Sequence, residues 1–382
     1  MKIPVIVHVS ADYPDAMAPN KTKAVLNLVT HTPEYRHVVY SLNRVNAWSG
    51  LTAVPFGEDR MAIAYGALPK GLFWESRLRD VAKWIARDLK AKQITPNLIE
   101  AHKFTVEGLI GQALSQEFSC PFICDIQGNT DAKILARKLD LRSRYKQIAQ
   151  DVSLVFSYSP WAIPTFHKLV GLPEEKCHRL PVIPGIDSFA PSEMVEDDRL
   201  VTVFHLDHWR LKNLERVIHA IEKLSKTRPA IRLDVYGGGR PESLMAIQRV
   251  IARSPVRKRI RLMGAVENGA LPELLRGYAG FVMPSLSETY GLVYAEALFA
   301  GLPILFSKDR GIDGYFDANR IGYACNPHST DDIAQGILHL LTRQASLKQS
   351  IADLQDSGDI NCIRKESIVK TYRDGLQRVL AA

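Results

Sequence analysis

Two glutamates eight residues apart, Glu288 and Glu296, carry the most chemistry in this 382-residue chain. They stand in the stretch Pro284-Ser-Leu-Ser-Glu288-Thr-Tyr-Gly291-Leu-Val-Tyr-Ala-Glu296-Ala-Leu-Phe-Ala-Gly301-Leu-Pro303. The stretch reads as a strand end, a turn, and a helix beginning near Gly291. The amides of Gly291, Leu292 and Val293 are then free at a helix N-terminus, where a phosphate sits well. A carboxylate accepts paired hydrogen bonds from a vicinal diol, and sugars and ribose both present one. Two acids at one strand-to-helix edge therefore suit the two ends of a sugar nucleotide. The plainer alternative is one acid favouring the helix dipole and one solvated glutamate.

Upstream, Phe204-His-Leu-Asp-His-Trp-Arg210-Leu-Lys212 follows another apolar strand and runs into a helix. A lysine at such an edge neutralises a diphosphate and stabilises a departing nucleotide; a solvated loop lysine is the alternative. Gly237, Gly238 and Gly239 follow the next strand. They permit either close backbone approach to a ligand or a tight turn. The strand after that runs into Met263-Gly-Ala-Val266. In the first half, His102 ends a strand in Ile99-Glu-Ala-His102-Lys-Phe-Thr-Val-Glu-Gly108, as a structural or a site-lining residue.

The elements that must position these residues alternate. Strands are expected at 5–9, 38–40, 98–101, 122–125, 154–157, 200–204, 233–236, 260–263, 281–283 and 303–306. Helical patterns lie between them, at 24–30, 109–118, 214–225 and 244–252. Such alternation predicts parallel sheets covered by helices. Pro181, Pro184, Gly185, Pro191 and the acidic run Glu196–Asp198 break the pattern. The expected domains are therefore 1–190, 191–365 and a terminal helix over 366–382. That helix presents Ile368, Tyr372, Leu376 and Leu380 on one face. Ligands of parallel sheets bind outside the carboxyl ends of the strands, so two facing sheet edges make a cleft.

The 284–303 stretch resembles the E-x7-E signature of the retaining family-4 glycosyltransferases, with Glu288 and Glu296 as its acids. The Pro-Ser, aromatic-Gly, Glu-Ala and Gly-x-Pro elements follow in the family's order. The resemblance implies a GT-B fold: two Rossmann-like α/β domains, with parallel sheets facing a central cleft and the last helix packing back across it. It implies that Glu288 binds donor-sugar hydroxyls, that Glu296 holds the ribose diol, and that the amides at Gly291 and Leu292 cradle the diphosphate. Lys212 falls on the family's lysine, and Gly237–Gly239 on its glycine loop. His102 falls on a histidine-bearing loop lining the cleft. Where the family has an arginine five residues before the lysine, this chain has Asp207, and Arg210 is the nearest basic substitute. Where many members have a His-Gly pair, this chain has Gln127-Gly128, with Asp131 as a replacement acid or a helix cap. The first loop offers Lys21, Thr22 and Lys23 instead of a Gly-Gly turn, as an anion site or as a polar helix start.

The implied reaction is hexosyl transfer with retention, from a UDP- or GDP-linked sugar to a glycan or lipid-linked saccharide, in cell-surface polysaccharide or glycolipid synthesis. The acceptor hydroxyl attacks from the leaving-group face and a donor phosphate oxygen helps take its proton. No cofactor and no metal are expected. An epimerase of the same architecture and a non-catalytic binding or scaffold protein remain as alternatives. The net charge of +8 suits phosphate ligands or an anionic surface. No basic stretch carries a nucleic-acid recognition motif, so nucleic acid is not an expected partner. From Lys70 to Lys92, seven basic residues mix with Leu72, Phe73, Trp74 and Trp84, a pattern of either interfacial membrane binding or ordinary core packing. Arg137–Lys146 adds a second basic stretch. No apolar run is long enough to span a bilayer, and the five cysteines show no metal spacing. The expected location is cytoplasmic, with a peripheral membrane position open.

Overall fold

A computed structural model describes residues 3–45, 50–67, 74–190 and 193–381. The chain forms two compact units. The first comprises Met1–Tyr158, Ala162–Ile183 and Glu366–Ala382; the second comprises Ser159–Trp161 and Pro184–Lys365.

The first unit is built on β1 (Val5–Ser10), β2 (Arg36–Val45), β3 (Thr52–Gly57), β4 (Arg60–Gly66), β5 (Leu98–Ala101), β6 (Phe122–Ile126), β7 (Leu154–Ser157) and β8 (Cys177–Arg179). They join in the order β3-β4-β2-β1-β5-β6-β7-β8. Every residue of β1, β5, β6 and β7 is buried, His8, Glu100 and Asp125 included, as in a parallel sheet covered on both faces. The expectation of purely parallel strands needs one correction, because β3 pairs antiparallel with β4. Thr52–Gly57 is a mostly exposed edge strand containing Pro55. It lacks the apolar run that marks a strand, and a proline is tolerated only at such an edge. Around the sheet lie α1 (Ala24–Thr30), α2 (Trp74–Ala91), α3 (Glu107–Phe118), α4 (Asn129–Arg137), α5 (Arg142–Asp151) and α6 (Ile163–Val170).

The second unit contains β9 (Arg199–Val203), β10 (Arg232–Tyr236), β11 (Ile260–Gly264), β12 (Gly280–Val282), β13 (Ile304–Ser307) and β14 (Gly322–Cys325). Their order is β11-β10-β9-β12-β13-β14, and all pairs are parallel. Helices α7 (Leu214–Leu224), α8 (Pro241–Arg253), α9 (Leu271–Arg276), α10 (Leu292–Phe299), α11 (Ala318–Ile321), α12 (Thr330–Thr342) and α13 (Gln344–Asp356) connect or flank them. The strand order reverses between β9 and β12, which makes their carboxyl ends the topological switch point of the sheet.

The last helix, α14 (Lys365–Ala381), belongs to the first unit apart from its first residue. Ile368, Tyr372, Leu376 and Val379 enter a core with Ile6, Leu98, Ile123 and Phe156, and Leu380 packs at its edge. Gly375 lets the helix close on the sheet, since a Cβ there would lie 2.5 Å from Phe156 Cζ.

Helix α2 resolves the two readings of the basic, tryptophan-bearing stretch in part. Trp74, Leu78, Val81, Ile85 and Leu89 are buried, so that stripe is core packing. Lys70, Leu72 and Phe73 lie outside the described residues. Among the described residues, no helix is long and apolar enough to cross a membrane.

Candidate active site

The loops after β9 and β12 bring Lys212 and Glu288 together at the switch point. The Lys212 ammonium forms an ion pair with Glu288 Oε2, and both side chains are largely covered. Backbone contacts hold the two loops in register: Leu286 N donates to Leu211 O at 2.7 Å. Asn213 is buried in a left-handed conformation, φ 64°, and its side-chain amide donates to Pro284 O at 3.0 Å and Pro327 O at 2.7 Å. A third loop, after β13, closes on the same place. Arg310 Nε donates to Leu286 O at 2.9 Å, and Gly311 N to Glu288 O at 3.3 Å.

Helix α10 begins at Leu292, with Gly291 before it at φ 78°. A Cβ at Gly291 would lie 2.5 Å from the Tyr294 ring and 3.2 Å from Glu288 Cγ, so both φ and space demand glycine. The Tyr294 amide bonds Gly291 O, and Leu292 and Val293 precede it at the helix start, where amides lack intrahelical acceptors. Glu296, one turn on, is half-buried. Its carboxylate has no hydrogen-bond or ion-pair partner among the described residues, and burial raises its pKa.

The glycine triplet has a local structural reason. Gly237 has φ 150°, and a Cβ there would lie 1.9 Å from Phe204 O; one at Gly239 would lie 2.8 Å from Leu206 Cβ. The backbone that approaches these glycines is thus the turn after β9. Gly238 is the looser of the three, and its carbonyl accepts from Leu206 N at 2.8 Å.

Asp207 answers its own departure from the family pattern. It accepts from Arg240 N at 3.0 Å and from Arg240 Nε at 2.9 Å. Ser243 together with Arg240 holds its carboxyl at about 2. Arg210 lies exposed with its guanidinium stacked 4.3 Å from the Trp209 ring centroid. Sequence reasoning missed Arg240, Asn213 and the Arg310–Gly311 loop; only their positions after strands or before a helix marked them.

In the first unit, His102 takes a different place from the one expected. It is fully buried. Its Nδ1 lies 2.6 Å from Asp125 Oδ2 and its Nε2 lies 3.1 Å from His8 Nδ1. Both ring nitrogens are thus engaged by buried neighbours. The chain of contacts continues from His8 Nε2 to His37 Nδ1 at 2.8 Å and from His37 Nε2 to Thr32 O at 2.8 Å. One donor assignment satisfies all four links: a doubly protonated His102 donating to Asp125 and His8, then His8 to His37, and His37 to the carbonyl. The electrostatics agree. Burial alone would lower the pKa of His102, but Glu100 and Asp125 outweigh it and hold it at about 9. Burial and the His102 charge push His8 down, and burial raises Glu100 and brings Asp125 to about 6. Tyr372 of α14 donates to Glu100, and Tyr158 to Asp125 at 3.0 Å.

Three neighbouring sequence readings also settle. Asp131 lies within α4 and accepts from Thr105 N, Thr105 Oγ1 and Gln127 N, so it locks a loop rather than capping a helix. Gln127 donates to His102 O at 2.7 Å. Lys21 donates to Asp15 Oδ2, Ser41 Oγ and Leu42 O. It therefore fastens its own loop, and no N–H of its ammonium remains for an anion.

His8, Glu100 and His102 form the group of ligand-type side chains close enough to hold a cation among the described residues. His8 and His102 bond each other there, while Glu100 takes its hydrogen bond from Tyr372 and keeps Oε1 without a partner.

Two α/β units built on largely parallel sheets have the architecture of the GT-B fold, with paired acids, a lysine and helix-start amides at the switch point of the second. Residues 187–353 match the family described as glycosyl transferases group 1. Over 151 residues the chain is 31% identical to the GtfA subunit of the UDP-N-acetylglucosamine–peptide N-acetylglucosaminyltransferase of Streptococcus agalactiae. That match covers 39% of this chain and only 27% of that protein. The whole chain superimposes on a sucrose-phosphate synthase from Thermosynechococcus elongatus with a TM-score of 0.74 at 16% identity, covering 100% of both. It matches Anabaena HepE, solved in complex with UDP, with a TM-score of 0.70 at 13% identity over 98% of this chain and 100% of that one. These likenesses establish the fold.

Proposed function

We propose that the chain transfers a hexosyl group, with retention of configuration, from a UDP- or GDP-linked sugar to a glycan or lipid-linked saccharide acceptor. The observation that carries this reading is the unpartnered, half-buried carboxylate of Glu296, one turn into a helix whose first amides face no intrahelical acceptor. A ribose diol supplies the hydrogen bonds that Glu296 lacks, and the diphosphate takes the Leu292 and Val293 amides. Without donor, Lys212 and Glu288 neutralise each other. With donor, Lys212 turns to the diphosphate and Glu288 to sugar hydroxyls. As the bond from sugar carbon to phosphate oxygen breaks and the bond to the acceptor oxygen forms, negative charge grows on the diphosphate. The lysine and the helix start are already aimed at it. Arg210, Gly237, Gly238 and Gly239 border the same sheet edge as further donor-side groups. The chemistry needs no resident metal in this reading. Cell-surface polysaccharide or glycolipid synthesis is the role that fits it, with the exposed Lys83 and Arg87 of α2 available to an anionic membrane.

UDP, GDP and their hexose conjugates are the ligands to test. The cognate one at 100 times its dissociation constant should raise stability by about 2.7 kcal/mol. The Lys212→Ala variant should keep its fold and lose turnover by roughly 2.7–4 kcal/mol of barrier. Stabilisation by none of these ligands sinks the reading. Sugar conversion without any acceptor would favour an epimerase.

A further inference from the structure

The apolar core beneath α14 holds a cluster of polar side chains that the transfer reading does not use. His8 on β1 lies directly across from Glu100 on β5 in the parallel register. Side chains alternate along a strand, so His102, two residues past Glu100, projects from the same face. All three are fully buried, and their ligand-type atoms lie within 4.8 Å of one another.

The hydrogen bonds around them leave a converging set of lone pairs. His37 Nε2 must donate to Thr32 O, which only accepts, so a neutral His37 presents Nδ1 as an acceptor to His8 Nε2. His102 Nδ1 donates to the Asp125 carboxylate. With neutral imidazoles, a bare His8 Nδ1 then faces His102 Nε2 at 3.1 Å and Glu100 Oε2 at 3.2 Å. Three acceptors cannot converge in this way without a positive charge among them. A single proton, on His102 or on Glu100, serves only one of the contacts. Glu100 Oε1 has no hydrogen-bond partner at all.

Charge gives an independent count. Glu100 and Asp125 are both fully buried, and among the described residues only histidines form ion pairs with them. A protonated His102 offsets one of the two negative charges, and a buried charge left uncompensated is costly. A divalent cation with neutral histidines offsets both.

We propose that His8 Nδ1, His102 Nε2 and Glu100 bind a divalent ion of the zinc class, which clips β1 to β5 inside the first unit. The spacing fits, since donors around a tetrahedral zinc stand about 3.3 Å from one another. Two imidazole nitrogens with one carboxylate suit zinc better than the oxygen-seeking magnesium or calcium. Each ligand also has the supporting bond that such sites use: His102 to Asp125, His8 to His37, and Tyr372 to Glu100. Glu100 Oε1 is the oxygen left to complete four coordination. Binding releases to solvent the second proton that His102 carries in the metal-free chain. Because the cluster is closed to solvent, the ion enters as the unit folds. Its role is structural and independent of the transfer reading, whose donor groups belong to the second unit.

The test uses the full chain expressed in zinc-supplemented medium and dialysed against EDTA to strip surface ions. Metal is then measured by atomic emission. A second preparation, grown with cobalt(II) instead, is read by visible absorption. Wild type should retain close to one zinc per chain and melt at a higher temperature than chain grown under zinc depletion. Its cobalt form should absorb as a four-coordinate nitrogen and oxygen site, without a thiolate charge-transfer band. Glu100→Gln, which keeps an acceptor for Tyr372 but removes the charge, should lose tenfold or more of the zinc with its circular dichroism intact. Wild type holding neither zinc nor cobalt overturns the proposal, as does a Glu100→Gln variant that retains as much metal as wild type. Should that variant not fold, the wild-type cobalt spectrum decides: a thiolate band, or the weak absorption of a six-coordinate ion, overturns the proposal.

Discussion

Glu296 and His102 show how differently two charged groups can be placed in one chain. Glu296 has no partner of its own, so replacing it leaves no buried group orphaned. Glu296→Ala should therefore preserve stability and weaken nucleoside diphosphate binding by about 1.5–3 kcal/mol, the worth of a charged hydrogen bond. Calorimetry of UDP and GDP measures this, and unchanged affinity removes Glu296 from the site. His102 is the opposite case, held between Asp125 and His8 with its pKa at about 9, against 6.5 for an unperturbed imidazole. A pKa raised in the folded state adds stability that is full below about 6.5 and is lost as the pH climbs through 9. The shift of Asp125 to about 6 removes stability in the same direction at lower pH, because the unfolded carboxyl ionises first. Amide exchange in β5 and β6 should therefore quicken between pH 6.5 and 9 beyond the intrinsic rate. His102→Gln should be less stable at pH 6.5 and flat over that window. A slope identical to wild type would mean that His102 does not titrate there.

At the scale of elements, α14 is the clearest case of a helix whose partner is distant in sequence. Its apolar stripe and the Tyr372–Glu100 bond fasten it to β1, β5 and β7 of the first unit. Gly375→Ala sets two effects against each other. Alanine gains about 0.8–1 kcal/mol of helix propensity. Its Cβ meets the buried Phe156 ring at 2.5 Å, and overpacking of this kind costs about 1–3 kcal/mol. The clash wins, so the variant should lose about 1–2 kcal/mol in denaturant unfolding of the first unit. A gain in stability would mean the helix shifts freely on the sheet. Helix α2 makes the complementary point: Trp74, Leu78, Val81, Ile85 and Leu89 are committed to the core and Trp84 is partly buried, which leaves membrane attraction mainly to surface charge. Binding to anionic vesicles should then vanish as salt rises and fall on Lys83→Gln, Arg87→Gln, since exposed charges are screened over about 8 Å at physiological ionic strength. Salt-resistant binding would require a buried apolar anchor instead.

For the whole molecule, the proposed chemistry rests on Lys212 and helix amides rather than on a cation. Transfer by the purified chain should survive EDTA. Loss of activity in chelator, restored by magnesium or manganese, would show that a divalent ion shares the diphosphate.

The chain by itself determined the alternation of strand and helix. Continuous apolar runs such as Val5–Val9 and Leu154–Ser157 belong to strands covered on both faces, and the turn residues punctuate them. It also marked Glu288, Glu296, Gly291 and Lys212, because the order of residues around them resembles a family signature and places them at or just beyond strand-to-helix edges. What it left open depends on contacts between residues far apart. The edge strand β3 has no apolar signature, since half of it faces water. His102 looks the same in sequence whether it lines a site or joins a buried chain with His8, Glu100 and Asp125. Asp207 reads as a missing cation until Arg240, thirty-three positions later, is seen beside it. Tertiary structure decides such cases because the pKa and reach of a side chain are set by its neighbours in space, and burial makes each of those neighbours count for far more than it would in water.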